Sequence, residues 1–269
     1  MKNKIVLITG STDGIGKETA LQLAQRGATV IVHGRSVERC QAACDDIRRA
    51  TGNSNVDFVV ADLSSQRQVR RMAAEIQERT DGLQVLINNA GVILLTRQVT
   101  EDGLEATFAV NHLAPFLLTH LLLDRLRQSA PARIINVSST VHYDAQIKVD
   151  NLQSEKNYNG INAYKLSKLG NVLFTFELAD RLEGSDVTAN CLHPGVVATK
   201  LLDTGWGWST GLTSAQGAAL SVYLATSPEV AQVTGKYFES TSAGGASPKA
   251  NDVKLRRQLW DISAQLTGL

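Results

Sequence analysis

An excess of either charge is missing from this chain of 269 residues: 27 Lys and Arg stand against 26 Asp and Glu, a formal net charge of +1. Without a basic excess there is no electrostatic case for binding nucleic acid or an anionic membrane. Cysteine is scarce, at positions 40, 44 and 191 only. An odd count without framework spacing excludes a disulfide scaffold and predicts a reduced, cytoplasmic protein. Five prolines and no linker, repeat or low-complexity block leave nowhere to divide the sequence, so one domain over 1–269 is expected. Long hydrophobic runs are also lacking. The polar lead Met1–Lys4 passes straight into Ile5-Val6-Leu7-Ile8, too short for a signal peptide. The greasiest stretch, 113–123, carries His120 and is closed by Asp124 and Arg125, well short of the roughly 20 apolar residues of a membrane span. A soluble chain is expected. No metal is expected either, because the five histidines show no H-E-x-x-H spacing and Cys40 and Cys44 lack a second ligand pair. Ser139 near His142 hints at a hydrolase, but there is no G-x-S-x-G elbow.

What is present is β–α alternation. Apolar β-branched runs at 5–8, 29–32, 56–60, 85–87, 133–137, 187–191 and 236–238 suit strands of a parallel sheet covered on both faces. Amphipathic stretches at 15–26, 37–50, 65–79, 104–126, 163–182, 214–226 and 252–266 supply the helices, with Arg70, Arg71 and the 254–257 cluster read as solvated faces. The expected fold is α/β, a doubly wound, mostly parallel sheet of about seven strands. Two segments interrupt the rhythm: an asparagine-rich one at 143–160, and one at 201–213 whose Gly205-Trp206-Gly207-Trp208 predicts a glycine-hinged apolar lid.

The turn after the first strand reads Thr9-Gly10-Ser11-Thr12-Asp13-Gly14-Ile15-Gly16. Glycines here let backbone approach a pyrophosphate, and the helix behind them offers unpaired N–H groups. A tight βα turn with no ligand is the competing reading. The second strand ends in His33-Gly34-Arg35-Ser36 with no carboxylate before Glu38. An arginine at this place suits a ribose 2′-phosphate, so NADP(H) is favoured over NAD(H). Asp62-Leu63 follows the third strand, where the carboxylate either meets an adenine amino group or shares a helix cap with Ser64.

Further marks fall where strand ends would converge: Asn88-Asn89-Ala90-Gly91, Asn136-Val137-Ser138-Ser139, and Tyr164-x-x-x-Lys168 on one helix face. Together with Asn111 and Pro194-Gly195-Val196-Val197-Ala198-Thr199, this ordered set resembles the short-chain dehydrogenase/reductase family over nearly the whole chain. The Ser139–Tyr164 gap, Phe174-Thr175-Phe176-Glu177-Leu178-Ala179 and Gln258-Leu259-Trp260-Asp261-Ile262-Ser263 resemble its retinol dehydrogenase and WW-domain oxidoreductase branch. Many members of that branch carry an N-terminal membrane anchor, which this sequence does not show. The resemblance implies that Gly10, Ser11, Thr12, Gly14, Ile15, Gly16, Asn89, Ala90, Gly91, Pro194, Gly195, Val197 and Thr199 hold a dinucleotide. It places Asn111 in a water-linked proton relay, a buried backbone-capping asparagine being the alternative. It also implies pairing of copies through the helices at 104–126 and 163–182.

The chemistry follows from the side chains. Hydride transfer to a carbonyl needs a proton donor and hydrogen-bond support for the oxygen. Tyr164 supplies the proton, Lys168 favours its phenolate, and Ser139 holds the substrate oxygen. Leu201, Trp206 and Trp208 are the candidate substrate contacts, and they predict an apolar alcohol or carbonyl compound. The rival readings are a dinucleotide-binding scaffold without turnover, and a same-family enzyme that reduces a C=C bond or acts on a sugar.

Overall fold

Strand residues point alternately to two helical layers, which is why the strand runs carry no polar face. Leu7 packs with Met72, Phe116 and Phe174 on one side of the sheet, whereas Val6 and Ile8 pack with Leu23, Ile47 and Val222 on the other. The computed structural model describes residues 1–269. Strands β1 (Ile5–Ile8), β2 (Thr29–Gly34), β3 (Val56–Val60), β4 (Val85–Asn88), β5 (Ala132–Val137) and β6 (Val187–Leu192) are parallel, in the order 3-2-1-4-5-6. Next to β6 lie β7 (Tyr237–Phe238), parallel, and β8 (Ala243–Gly244), antiparallel. The sheet therefore has eight strands rather than about seven. The extra one is a two-residue Ala-Gly return, too short and too small to carry a strand pattern.

Helices α1 (Gly14–Gln25), α2 (Val37–Thr51) and α8 (Ser214–Thr226) cover one face; α3 (Gln66–Arg79), α5 (Ala114–Gln128) and α6 (Gly160–Arg181) cover the other. Ser36, Ser65, Asn159 and Thr213 cap α2, α3, α6 and α8 through their side chains. The chain direction across the sheet reverses between β1 and β4, and the crevice at their carboxyl ends is where ligands bind in such sheets.

The helix expected over 104–126 runs from Ala106 to Gln128 and contains a π-turn near its start. Glu105 is fully buried, and its carboxylate accepts from the N–H groups of Thr107 (2.9 Å) and Phe108 (2.6 Å). One short turn, α4 (Ala106–Phe108), passes into a π-turn at Ala109–Leu113 before α5 begins. The run Ala106–Gln128 reaches the length and hydropathy of a membrane span, correcting the sequence estimate, and 78% of its apolar window is buried inside the protein. It is a central packing helix.

Beyond the short helix α7 (Lys200–Trp206), α9 (Val253–Thr267) lies along α6 and reaches α5. Trp260 stands edge-on to Phe116, centroids 5.1 Å apart, with the Arg181 guanidinium 4.2 Å over its ring. Arg256 is not on a solvated face: it is 8% exposed and pairs with Asp180 (2.6 Å) and Glu177 (3.8 Å). Arg70 and Arg71 are exposed, as expected of a solvated face, and donate to the carbonyls of Thr267 at the end of α9 and Val60 at the end of β3.

Candidate active site

The crevice opens into one cleft of about 1080 Å³ that brings together the candidate catalytic, dinucleotide and substrate residues, apart from Ser11 and Asn111. The three glycines of the first turn do different jobs. A side chain on Gly10 would meet Ala90 Cα at 2.9 Å, so this position sets how closely the β1 and β4 turns approach. On Gly16 it would meet the Gly10 carbonyl at 2.3 Å and Asn89 Nδ2 at 2.5 Å. On Gly14, where φ is +55°, it would touch only Thr199 Cγ2 at 3.7 Å. Gly14 is thus the glycine that faces open space. The Asp13 side chain caps α1 through the Gly14 N–H alone, leaving the other first-turn donors without a capping side chain. An open glycine beside uncapped N–H groups fits the pyrophosphate of a dinucleotide.

Ser11 does not line the cleft. Its hydroxyl donates to the Ile8 carbonyl (2.7 Å) and accepts from the His33 N–H (3.0 Å), fastening the end of β1 to β2. His33 completes the fastening from below: Nδ1 accepts from the Gly10 N–H at 3.0 Å and Nε2 reaches the Ala61 carbonyl at 3.1 Å. Burial pushes its pKa down to about 4, so the imidazole stays neutral. Above it, Arg35 and Arg39 line the cleft mouth, whereas the only nearby carboxylate on α2, Glu38, is taken by the Ser36 hydroxyl at 2.5 Å. Asp62 also lines the cleft; its Oδ1 accepts from the Ser64 N–H and hydroxyl, and the cap of α3 is Ser65.

At the other end, the stretch expected to be an irregular lid is helical only in its first half, to Trp206, and irregular from Gly207 to Thr213. Thr199 caps α7 at its start, and Gly207, at φ +67°, ends it. Gly205 is not a hinge: a side chain there would strike Ile93 Cδ1 at 2.7 Å, so it is the point where α7 rests on the wall. The following loop returns alongside Val197, with the Ala198 N–H donating to the Leu212 carbonyl at 3.0 Å. Trp206 stands edge-on to Tyr164 with centroids 5.9 Å apart, and Trp208, 55% exposed, lines the cleft together with Leu201.

Between these ends lie Ser139, Tyr164 and Lys168. Helix α6 turns Tyr164 and Lys168 to the same side, with the ammonium 5.5 Å from the phenol ring centroid. Lys168 is 3% exposed, donates to the Val137 carbonyl at 3.0 Å, and is pushed down to about 8 by burial. Burial pushes the Tyr164 phenol up, with the Ser139 hydroxyl opposing. A side chain on Gly91 would come within 3.4 Å of Lys168 Nζ and 3.5 Å of Asn111 Oδ1. Asn111, in the π-turn, is outside the cleft and fully engaged: Oδ1 accepts from the Val92 N–H (2.8 Å) while Nδ2 donates to the Val92 carbonyl and Ser167. Its side chain therefore anchors the Val92 peptide beside the cleft.

The short chain dehydrogenase family model matches residues 4–208. The chain belongs to that family. It is 46% identical to human (Homo sapiens) retinol dehydrogenase 13, over 99% of this chain and 85% of the relative. Among solved structures, a protein from Mycobacterium Paratuberculosis is similar at 34% identity and a TM-score of 0.83, covering 99% of this chain and 94% of that one. A short chain dehydrogenase from Escherichia coli complexed with NADPH is similar at 26% identity and a TM-score of 0.73, covering 89% and 97%.

Four groups of this dehydrogenase's cleft escape a reading of the sequence. His33 sits in an apolar strand where a histidine carries no periodic signal. Asp13 accepts from Lys200 (2.8 Å) and lies 3.6 Å from Arg39, spanning the cleft mouth from α1 to α7 and α2. Asp13 does have a local signature, a capping residue just before the first helical glycine. Arg39 lies one helical turn beyond Arg35, a spacing visible in hindsight, whereas nothing near Lys200 points to Asp13.

Proposed function

We propose that this oxidoreductase interconverts an alcohol and an aldehyde or ketone on a mainly apolar skeleton, with NADP(H) preferred over NAD(H) and Tyr164 as the acid/base. The observation that carries the reading is Ser139, Tyr164 and Lys168 on one cleft, arginines at one mouth and tryptophans at the other. Gly14, Asn89, Ala90, Gly91, Pro194 and Thr199 would hold the dinucleotide, which supplies or accepts the hydride when bound. The rest of the chemistry belongs to the chain. Ser139 Oγ holds the substrate oxygen. Tyr164 gives it a proton in reduction and takes one in oxidation, and the Lys168 ammonium, in a dry setting, favours the phenolate needed for the second direction. The retinol dehydrogenases among the relatives support a long isoprenoid alcohol or its aldehyde as substrate class. Cys40, Cys44 and Cys191 are free and buried, which supports a reduced, cytoplasmic setting.

Cofactor choice is tested at Arg35. A guanidinium with no competing carboxylate pairs well with a phosphate. Arg35→Ala should raise the KM for NADPH far more than that for NADH; equal changes would make the arginine structural. Substrate class is tested with aldehydes of increasing apolar size, each with both cofactors. Burying one further apolar side-chain equivalent is worth about 1.5–3 kcal/mol, so kcat/KM should climb at least tenfold along the series and flatten in Trp208→Ala. A flat wild-type series, or faster turnover of a polar sugar, would refute the apolar site.

A further inference from the structure

His142 follows Ser139 in the short turn Thr140–His142, is fully buried, and does not line the cleft. Both ring nitrogens are engaged. The Ser247 N–H donates to Nε2 at 3.0 Å, so Nε2 is bare and the proton sits on Nδ1, which donates to the Ser139 carbonyl at 2.7 Å. The backbone N–H of His142 donates to the same oxygen at 3.1 Å. On the other side of Ser139, the Ser138 N–H donates to the Leu192 carbonyl (2.7 Å) and its hydroxyl to the Lys168 carbonyl (2.8 Å). Apart from the Tyr164 phenol it faces, the Ser139 hydroxyl is held only weakly, accepting from the Val141 N–H at 3.4 Å. Its direction is therefore set by how the flanking peptides are held.

The ring that holds the second peptide is itself immobilised. Tyr143 and Tyr237 pack on it with centroids 4.1 and 4.6 Å away. The Tyr143 hydroxyl donates to Glu239 at 2.8 Å. Tyr237, Glu239 and Ser247 all lie beyond residue 208, where the match to the family model ends. We propose that His142 is a positioning residue: its Nδ1–H, braced by Ser247, aims the Ser139 hydroxyl at the substrate oxygen and makes the β7–β8 region the back-plate of the catalytic serine. The inference rests on the role given to Ser139 above.

Two substitutions separate the two ends of the ring. His142→Asn places an amide N–H where Nδ1 is and gives up the Ser247 bond; His142→Gln keeps an acceptor for Ser247 and gives up the donor to Ser139. Both lose one hydrogen bond, so comparable falls in melting temperature are expected. Turnover should differ: kcat stays within a few-fold of wild type in the Asn variant and falls by about 10²-fold in the Gln variant, the scale of a slightly misplaced reacting group. KM for NADPH should change in neither. In a Ser139→Ala background, His142→Gln should cause little further loss, because there is no hydroxyl left to aim. Equal losses in the Asn and Gln variants, or a full additional loss on top of Ser139→Ala, overturn the positioning role alone. Unchanged turnover in Ser139→Ala overturns the role of Ser139 and the proposal with it.

Discussion

Replacing Tyr164 with phenylalanine should lower kcat by about 10²–10⁴-fold, the range of general acid–base catalysis. The ring is buried against Trp206, so its packing survives the loss of the hydroxyl. NADPH affinity and unfolding midpoint should stay near those of the wild type. Direction also matters. Burial pushes the phenol up, so without help it remains protonated across the neutral range. Reduction, which consumes that proton, should depend weakly on pH near neutrality, whereas oxidation, which needs phenolate, should accelerate as pH rises. The Lys168 ammonium helps only while it is charged, and burial brings its own pKa to about 8. Its support therefore fades above that pH, and the oxidation profile should bend there. Stopped-flow absorbance of the nicotinamide reads both directions. Near-normal turnover in a folded Tyr164→Phe enzyme would remove the acid/base from this residue.

A methyl group at Gly16 should unfold the protein more readily than one at any other glycine of the first turn. The added carbon would overlap the Gly10 carbonyl and the Asn89 amide, both held by the ends of β1 and β4. Overpacking of this kind costs about 1–3 kcal/mol or more. The Gly16→Ala urea midpoint should fall accordingly. Gly14→Ala offers the contrast: the space is open, and the left-handed backbone costs only about 1–2 kcal/mol. Its loss should appear mainly as weakened NADPH binding. An unchanged midpoint in Gly16→Ala would show that the turn can open, contrary to the distances.

The strand runs were legible because both faces of the sheet are covered, so Val6, Leu7 and Ile8 all needed apolar side chains. Tyr164 and Lys168 were legible because a helix puts every fourth residue on one side. Ser11 misled because a serine in a glycine-rich turn resembles a ligand, while its hydroxyl bends back to its own strand. Within 201–213 only the helical first half was missed, because a seven-residue helix is too short to show a periodicity; the Thr199 cap starts it and Gly205 seats it against Ile93. The π-turn at Asn111 was not legible, because the Val92 peptide its side chain grips lies 19 residues away in sequence. His142 was weighed only as a partner for the Ser139 hydroxyl. It grips the carbonyl instead.

The C-terminal helix α9 has a bearing on assembly. Copies were expected to associate through the long helices, yet α6 already carries α9, pinned by the Arg256 pairs and by Trp260 wedged among Phe116, His120 and Phe174. The chain thus satisfies intramolecularly a surface that would otherwise call for a second subunit. Any dimer using that surface must first peel away its own tail, exposing the aromatic cluster and stranding Glu177 and Arg256 without each other.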